Sequence, residues 1–224
     1  TPCRGQRFIV TESVFSMDGD ISDLPKLVKL AEQNNALVIV DEAHSTGLYG
    51  KRGSGIVERD GLEDAVLCSM HTGGKALGVG GAWIAADKPL ISHLVNHARS
   101  FIYSTAPIPA LAHGLHCAIH YLQNQSDRIA TLHTRAEFLR NRLRSLGINT
   151  LESNSHIIPV LIGENERALE VAENMRREGY DVRAVRPPTV PKGTARLRLT
   201  VRATMEEQML VQFAQTLERQ MTTL

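Results

Sequence analysis

Two short stretches combine residue types that can do chemistry. The first is Val40-Asp41-Glu42-Ala43-His44, at the end of an apolar run. In open α/β sheets ligands gather where parallel strands end. A carboxylate there can hydrogen-bond and charge-pair with a buried cation, and beside a protonated ring nitrogen it makes that ring a better electron sink. An Asp at a strand end also commonly caps the following turn, and these residues alone leave both readings open. The second stretch is Met70-His71-Thr72-Gly73-Gly74-Lys75-Ala76-Leu77-Gly78. Glycines let a backbone turn approach a ligand closely. A partly buried lysine near a cation gives up its proton more readily, and its neutral amine can form a Schiff base. Thr72 offers a hydroxyl to a phosphate oxygen. A solvent-exposed lysine in a flexible loop is the plainer alternative.

Other chemistries fit less well. Asp-Glu-Ala-His invites a nucleotide reading, but that needs a phosphate-cradling GxxxxGK[ST] upstream, and none is present. Gly73-Gly74-Lys75-Ala76 lacks the earlier glycine and the following hydroxyl, and lies downstream. His113 and His116, or His116 and His120, share a helix face, yet no HExxH pattern or adjacent carboxylate completes a metal set, so no metal is expected. Cys3, Cys68 and Cys117 form no CxxC pair and read as reduced thiols of a cytoplasmic protein.

The elements that must position these residues follow from periodicity. Strands are expected at Phe8 to Val14, Ala36 to Val40, Ala65 to Met70 and Ala82 to Ala86. A helix is expected over Asp23 to Gln33, where Leu24, Leu27, Leu30 and Ala31 keep helical spacing. Strands alternating with helices predict an α/β domain with a parallel sheet. The texture changes near Pro107 and Pro109. Helical stretches follow from Ala110 and over Asp127 to Leu146. A smaller α/β unit is expected beyond: strand Ile157 to Ile162, helix Glu166 to Glu178, strand Asp181 to Val185, a half-exposed strand over Arg196 to Val201, and helix Glu206 to Leu217. The domain division expected is 1–109 and 110–224.

The chain has 224 residues with a net charge of +1, so nothing calls for nucleic acid or an anionic membrane as partner. A hydrophobic fraction of 42% allows a real core, and no apolar run could span a bilayer. The opening residues do not read as a signal peptide. The chain lacks an initiator Met and opens almost directly into a strand, so it reads as a piece of something longer.

Taken together, Glu12-Ser13-Val14-Phe15-Ser16-Met17-Asp18-Gly19-Asp20, Asp41-Glu42-Ala43-His44-Ser45-Thr46-Gly47, Thr72-Gly73-Gly74-Lys75, Arg186-Pro187-Pro188-Thr189-Val190-Pro191-Lys192-Gly193-Thr194 and Arg196-Leu197-Arg198 resemble the α-oxoamine synthases, in order and spacing, over nearly the whole chain. That family uses pyridoxal 5'-phosphate (PLP). The resemblance implies a fold-type-I (aspartate-aminotransferase-like) α/β architecture, here the later part of the large domain plus a C-terminal α/β small domain. It implies that Lys75 carries PLP as a Schiff base and serves as catalytic base. Asp41 would pair with the pyridine nitrogen, His44 and Ser16 would lie near the phenolic oxygen, and Thr72 would contact the phosphate. Thr189 would contact substrate and Arg198 the amino-acid carboxylate, for which a guanidinium fork is suited. Arg186 and Arg196 read as structural, and Ser104 and Thr105 as reaching a partner subunit's phosphate in a homodimer. The 186–199 stretch favours the alanine-using branch of biotin synthesis over glycine- and serine-using relatives. The reaction implied is decarboxylating condensation of L-alanine with a pimeloyl thioester, on CoA or a carrier protein, to 8-amino-7-oxononanoate. The family's first strands and ring-stacking histidine would precede residue 1. Val201-Arg202-Ala203-Thr204 departs from the family, which has a small residue and then a histidine there.

Overall fold

The computed structural model describes residues 4–222, and they divide into two compact units. The first runs up to Val14 and resumes over Ser22–Ser126; the second comprises Phe15–Ile21 and the chain from Asp127 onward.

The first unit opens with β1 (Arg7–Glu12), α1 (Leu24–Gln33) and β2 (Ala36–Asp41). Helix α1 starts where the sequence signals it. The Asp23 side chain accepts from the Lys26 amide at 3.2 Å, and Pro25 occupies the first turn, where its missing N–H costs nothing. Its buried residues Leu24, Val28 and Ala31 make one stripe. The unit continues with α2 (Ile56–Asp60), β3 (Cys68–Thr72), β4 (Ala82–Ala86), α3 (Lys88–His97), α4 (Arg99–Ile102) and α5 (Pro109–Leu122). The four strands form one sheet in the order β1-β2-β3-β4. β1, β2 and β3 run parallel, but β4 pairs antiparallel to β3, with His71 opposite Trp83. The expected parallel sheet is therefore mixed. The reason is the connection: residues 73–81 are too few for the helix-bearing crossover a parallel pair needs. β3 also begins later than expected, because Ala65 and Val66 donate back to the Leu62 carbonyl in a closing turn.

The second unit contains α6 (Ser126–Ser145) from Asp127, then β5 (Ile157–Gly163), α7 (Asn165–Arg177), β6 (Arg183–Val185), β7 (Ala195–Thr200) and α8 (Glu207–Thr222). Its sheet is antiparallel in the order β5-β7-β6, so β7 is the central strand. Leu197, Leu199 and Val201 are buried on one face, and on the other Arg198 is half-buried and Thr200 exposed, the alternation expected of this strand; Arg196, only 4% exposed, is the departure from it. Two residues past the end of α6 stands Gly147, whose φ of +74° suits the left-handed turn after a helix.

Candidate active site

Asp41 is the last residue of β2 and Thr72 the last of β3, and these strands are parallel neighbours with Asp41 opposite Met70. The turn carrying His44 and the loop carrying Lys75 therefore leave the sheet from the same carboxyl edge. Asp41 is half-buried, and its Oδ1 accepts from the Ala43 amide at 2.8 Å. This is the turn-capping geometry that the sequence left as an alternative, and it leaves Oδ2 outside that bond. Lys75 is exposed in a loop tied at its base, where Gly73 N–H donates to Gly81 O at 2.8 Å and Val79 N–H to Gly73 O at 2.9 Å. The Thr72 hydroxyl stands beside it, accepting from the Gly74 amide at 3.3 Å. Glycine is required at 73, where a Cβ would lie 2.4 Å from both Leu115 Cδ2 and the Val79 carbonyl oxygen. The two loops also touch each other: a Cβ on Gly47 would lie 3.2 Å from the Ala76 Cβ.

Two residues of this edge were quoted in the sequence motifs without a role. Glu42 is fully buried. Its Oε2 gathers the Ser13 hydroxyl at 2.6 Å, the Ser45 hydroxyl and the Ile56 amide at 3.0 Å, while Oε1 accepts from Val57 N–H at 2.7 Å. It thus satisfies amides that the first turn of α2 leaves without helical partners. A Cβ on Gly55 would collide with this carboxylate at 2.5 Å, which explains the glycine there. His71 is also buried, with Nδ1 2.8 Å from Thr46 Oγ1 and Nε2 2.8 Å from Ser69 Oγ. Burial holds its proton affinity below that of an ordinary histidine, against the opposing pull of the Glu42 and Asp41 carboxylates. No sequence pattern marks either residue, because their partners lie up to 29 positions away.

The second unit holds the remaining candidates. Arg198 Nε donates to the Ser16 carbonyl at 2.6 Å and Nη1 to Thr200 Oγ1 at 3.1 Å, so Ser16 and Arg198 meet there. Arg196 forms an ion pair with Asp18. Two arginines of β7 thereby hold the 15–21 turn, and the turn closes on β5: a Cβ on Gly19 would lie 2.0 Å from the Ile157 carbonyl oxygen. Thr189 is exposed, with its amide donating to Arg186 O at 3.1 Å.

On α5, the His113 ring approaches Cys117 Sγ at 3.5 Å and the His116 and His120 rings meet edge-on at 4.4 Å. Among the described residues no group of three or more His, Cys, Asp or Glu side chains could hold a metal ion. No helix of these residues is long and apolar enough to cross a membrane. Cys68 is buried and Cys117 exposed, both as free thiols, and burial pushes the Cys68 thiol pKa up; Cys3 lies outside the described residues.

An amine, a carboxylate and a hydroxyl thus leave one sheet edge, a set that could serve the cofactor implied by the resemblance. Comparison with known proteins points the same way. A family model described as "Aminotransferase class I and II" matches residues 2–217. An 8-amino-7-oxononanoate synthase of Cupriavidus necator is 43% identical over 208 residues, covering 90% of this chain and 52% of that protein. A structure of SPT with a PLP internal aldimine superposes with a TM-score of 0.91 at 27% identity, over 98% of this chain and 56% of that one. The 8-amino-7-oxononanoate synthase of Francisella tularensis gives a TM-score of 0.85 at 26% identity, over 96% of this chain and 63% of that one. The chain spans about half the length of the curated relatives it matches. Its fold is the fold-type-I transferase architecture that the motifs implied.

Proposed function

The chain belongs to the class I and II aminotransferase family, and on that premise we propose that its residues serve a PLP-dependent α-oxoamine synthase. That enzyme condenses L-alanine with a pimeloyl thioester, on CoA or a carrier protein, to 8-amino-7-oxononanoate, CO2 and the free thiol. It works as a cytoplasmic homodimer. The observation that carries this reading is the placement of Asp41 and the Lys75 loop at the ends of adjacent parallel strands, in a chain 43% identical to a relative of that name.

The residues present fit the cofactor in kind. Lys75 is the exposed amine at the edge, Asp41 the carboxylate and Thr72 the hydroxyl, and Gly73 lets the loop pack closely against Leu115 and Val79. When bound, PLP supplies a carbonyl for a lysine amine and a ring that delocalises charge arising at the amino acid's α-carbon. Asp41 would hold the ring nitrogen protonated, and Thr72 would offer its hydroxyl to a phosphate oxygen. Lys75 would hold the cofactor through Nζ, and as a free amine the same nitrogen would take the α-proton as general base and return one. His44 and Ser16 serve the phenolic oxygen, and His44 also polarises the acyl carbonyl. Arg198 takes the amino-acid carboxylate and Thr189 contacts substrate.

A second reading has one observation in its favour. Because the chain spans about half of its relatives, it could carry these residues without turning over substrate. One experiment separates the two. The purified chain is incubated with PLP, reduced with borohydride and mapped by mass spectrometry, then assayed with pimeloyl-CoA and alanine, glycine or serine. The expected result is a pyridoxyl label at Lys75, absent in Lys75→Ala, and product with alanine. Label spread equally over surface lysines in both proteins would overturn the role of Lys75. Label at Lys75 with no product from any amino acid would favour the second reading.

A further inference from the structure

We propose that His71 is a positioning residue whose imidazole clamps the turn bearing His44 to the strand leading into Lys75, and so sets the two loops of the site against each other. The inference rests on the reading of Lys75 given above.

Three contacts hold the ring. Thr46 Oγ1 donates its single hydrogen to the Glu42 carbonyl at 2.7 Å, so toward His71 it can only accept. Nδ1, 2.8 Å away, must then carry a hydrogen. In the neutral ring that leaves Nε2 as the acceptor, and the Ser69 hydroxyl, also at 2.8 Å, donates to it. The geometry thereby selects one tautomer. On the neighbouring strand, Trp83 sits directly opposite and stacks on the ring, with centroids 5.2 Å apart and planes 9° from parallel.

Function enters through what Thr46 belongs to. At its start the turn that follows Asp41 is tied to β3 by Glu42 N–H donating to Met70 O at 2.8 Å. Further along it meets the lysine segment at His71 before Lys75 and, through Gly47, at Ala76 after it. These two later contacts set the far part of residues 42–47 against 72–76. The Gly47 contact is van der Waals and non-directional, whereas the His71 contact fixes a distance and an orientation. A leucine or phenylalanine could fill the same volume but could not join Thr46 and Ser69.

The clamp also has a pH sense. Burial makes the folded protein bind a proton at His71 less readily than the unfolded chain does, and the charged groups acting on the ring, Glu42 and Asp41, oppose this only in part. The folded state thus carries fewer protons, so the stabilisation is complete above about pH 6.5 and is lost as pH falls below it.

The test is amide hydrogen exchange on the chain without cofactor, comparing wild type, His71→Phe and His71→Asn. Phenylalanine keeps the stack on Trp83 and loses both hydrogen bonds; asparagine keeps a donor near Nδ1. Two neutral hydrogen bonds predict about tenfold faster exchange in 42–47 and 72–76 of His71→Phe. Val38 and Val40 should be unchanged, and His71→Asn should recover part of the protection. In wild type the same segments should open further below about pH 6.5, after correction for intrinsic rates, and His71→Phe should lack that step. Uniform acceleration through the whole unit, or none, would overturn the clamp and leave His71 as ordinary packing. If His71→Phe does not fold, the wild-type pH step decides: confined to the two loops it supports the proposal, and absent or uniform it overturns it. No readout needs PLP, so loss of the Lys75 assignment and loss of the clamp are recorded separately.

Discussion

The two units hold themselves together by different means. In the second, β7 is flanked on both sides, its inward leucines lie opposite Ile158 and Val160, and Val171, Met175 and Leu217 are likewise fully buried. The first has one sealed sheet face, with Val38 and Val40 under α1, while the face carrying Phe8, Val10, Leu37 and Ile84 is open to solvent. Helices α3, α4 and α5 bury no residue at all. What orders the first unit around its candidate site is polar: Ser13, Glu42, Ser45, Thr46, Ser69 and His71 are all buried and joined by hydrogen bonds. Apolar burial is tolerant of small changes, whereas a buried polar network fails when one member is removed. The chemistry has thus been placed where geometry is set by directional bonds.

That contrast predicts where single substitutions do most damage. Glu42→Ala should be the most severe, on the order of 5 kcal/mol, because two hydroxyls and two helix amides lose their acceptor at about 1–3 kcal/mol each, less than additively. Hydrogen exchange should show β2 and β3 losing protection while β5 and β7 keep theirs. Leu197→Ala should cost about 3 kcal/mol, the middle of the range for a fully buried leucine. It should do the reverse, loosening β5 and β7 and sparing β2 and β3. If either substitution lowers protection equally in both units, the chain unfolds as one cooperative body and the contrast between them fails.

The same contrast explains what could be read in advance. The bounds of α1 and β2 were legible to within a residue, but of the expected Leu24, Leu27, Leu30 and Ala31 only Leu24 and Ala31 are buried; Val28 completes the stripe and Leu30 is 49% exposed. β4 was legible as a strand but not in direction, because direction depends on the length of the loop before it. Helices α3 and α4 were missed, although Asp87 and Pro89 stand at the start of α3 as Asp23 and Pro25 do at α1. Within the candidate site, Asp41, His44, Thr72 and Lys75 stood out through short motifs, and the structure puts them on one sheet edge. Glu42 and His71 could not be given a role. Their importance lies in Ser13, Ile56, Thr46 and Trp83, which folding brings together from distant positions. The burial of Arg196 was likewise invisible, since only the pairing order makes β7 central.

The smallest expected effect is the sharpest test of the open face. Val10 lies on β1 opposite Ile39 and is 72% exposed, although it is apolar and β-branched. Were that face part of a core, Val10→Ser would remove buried hydrocarbon and place a hydroxyl in its stead, at a cost of several kcal/mol. With the face open, neither penalty applies, and the change should stay within about 0.5 kcal/mol, as for ordinary surface positions. Urea denaturation of the 224-residue chain at two protein concentrations measures this. A small change at both concentrations supports an open sheet face and an ordering of the first unit that rests on its polar network. A loss above about 1 kcal/mol that grows with concentration would mean that a second copy covers Phe8 and Val10 in solution. Apolar burial would then stabilise the first unit as it does the second, and the two units would differ only in where their covering layer comes from.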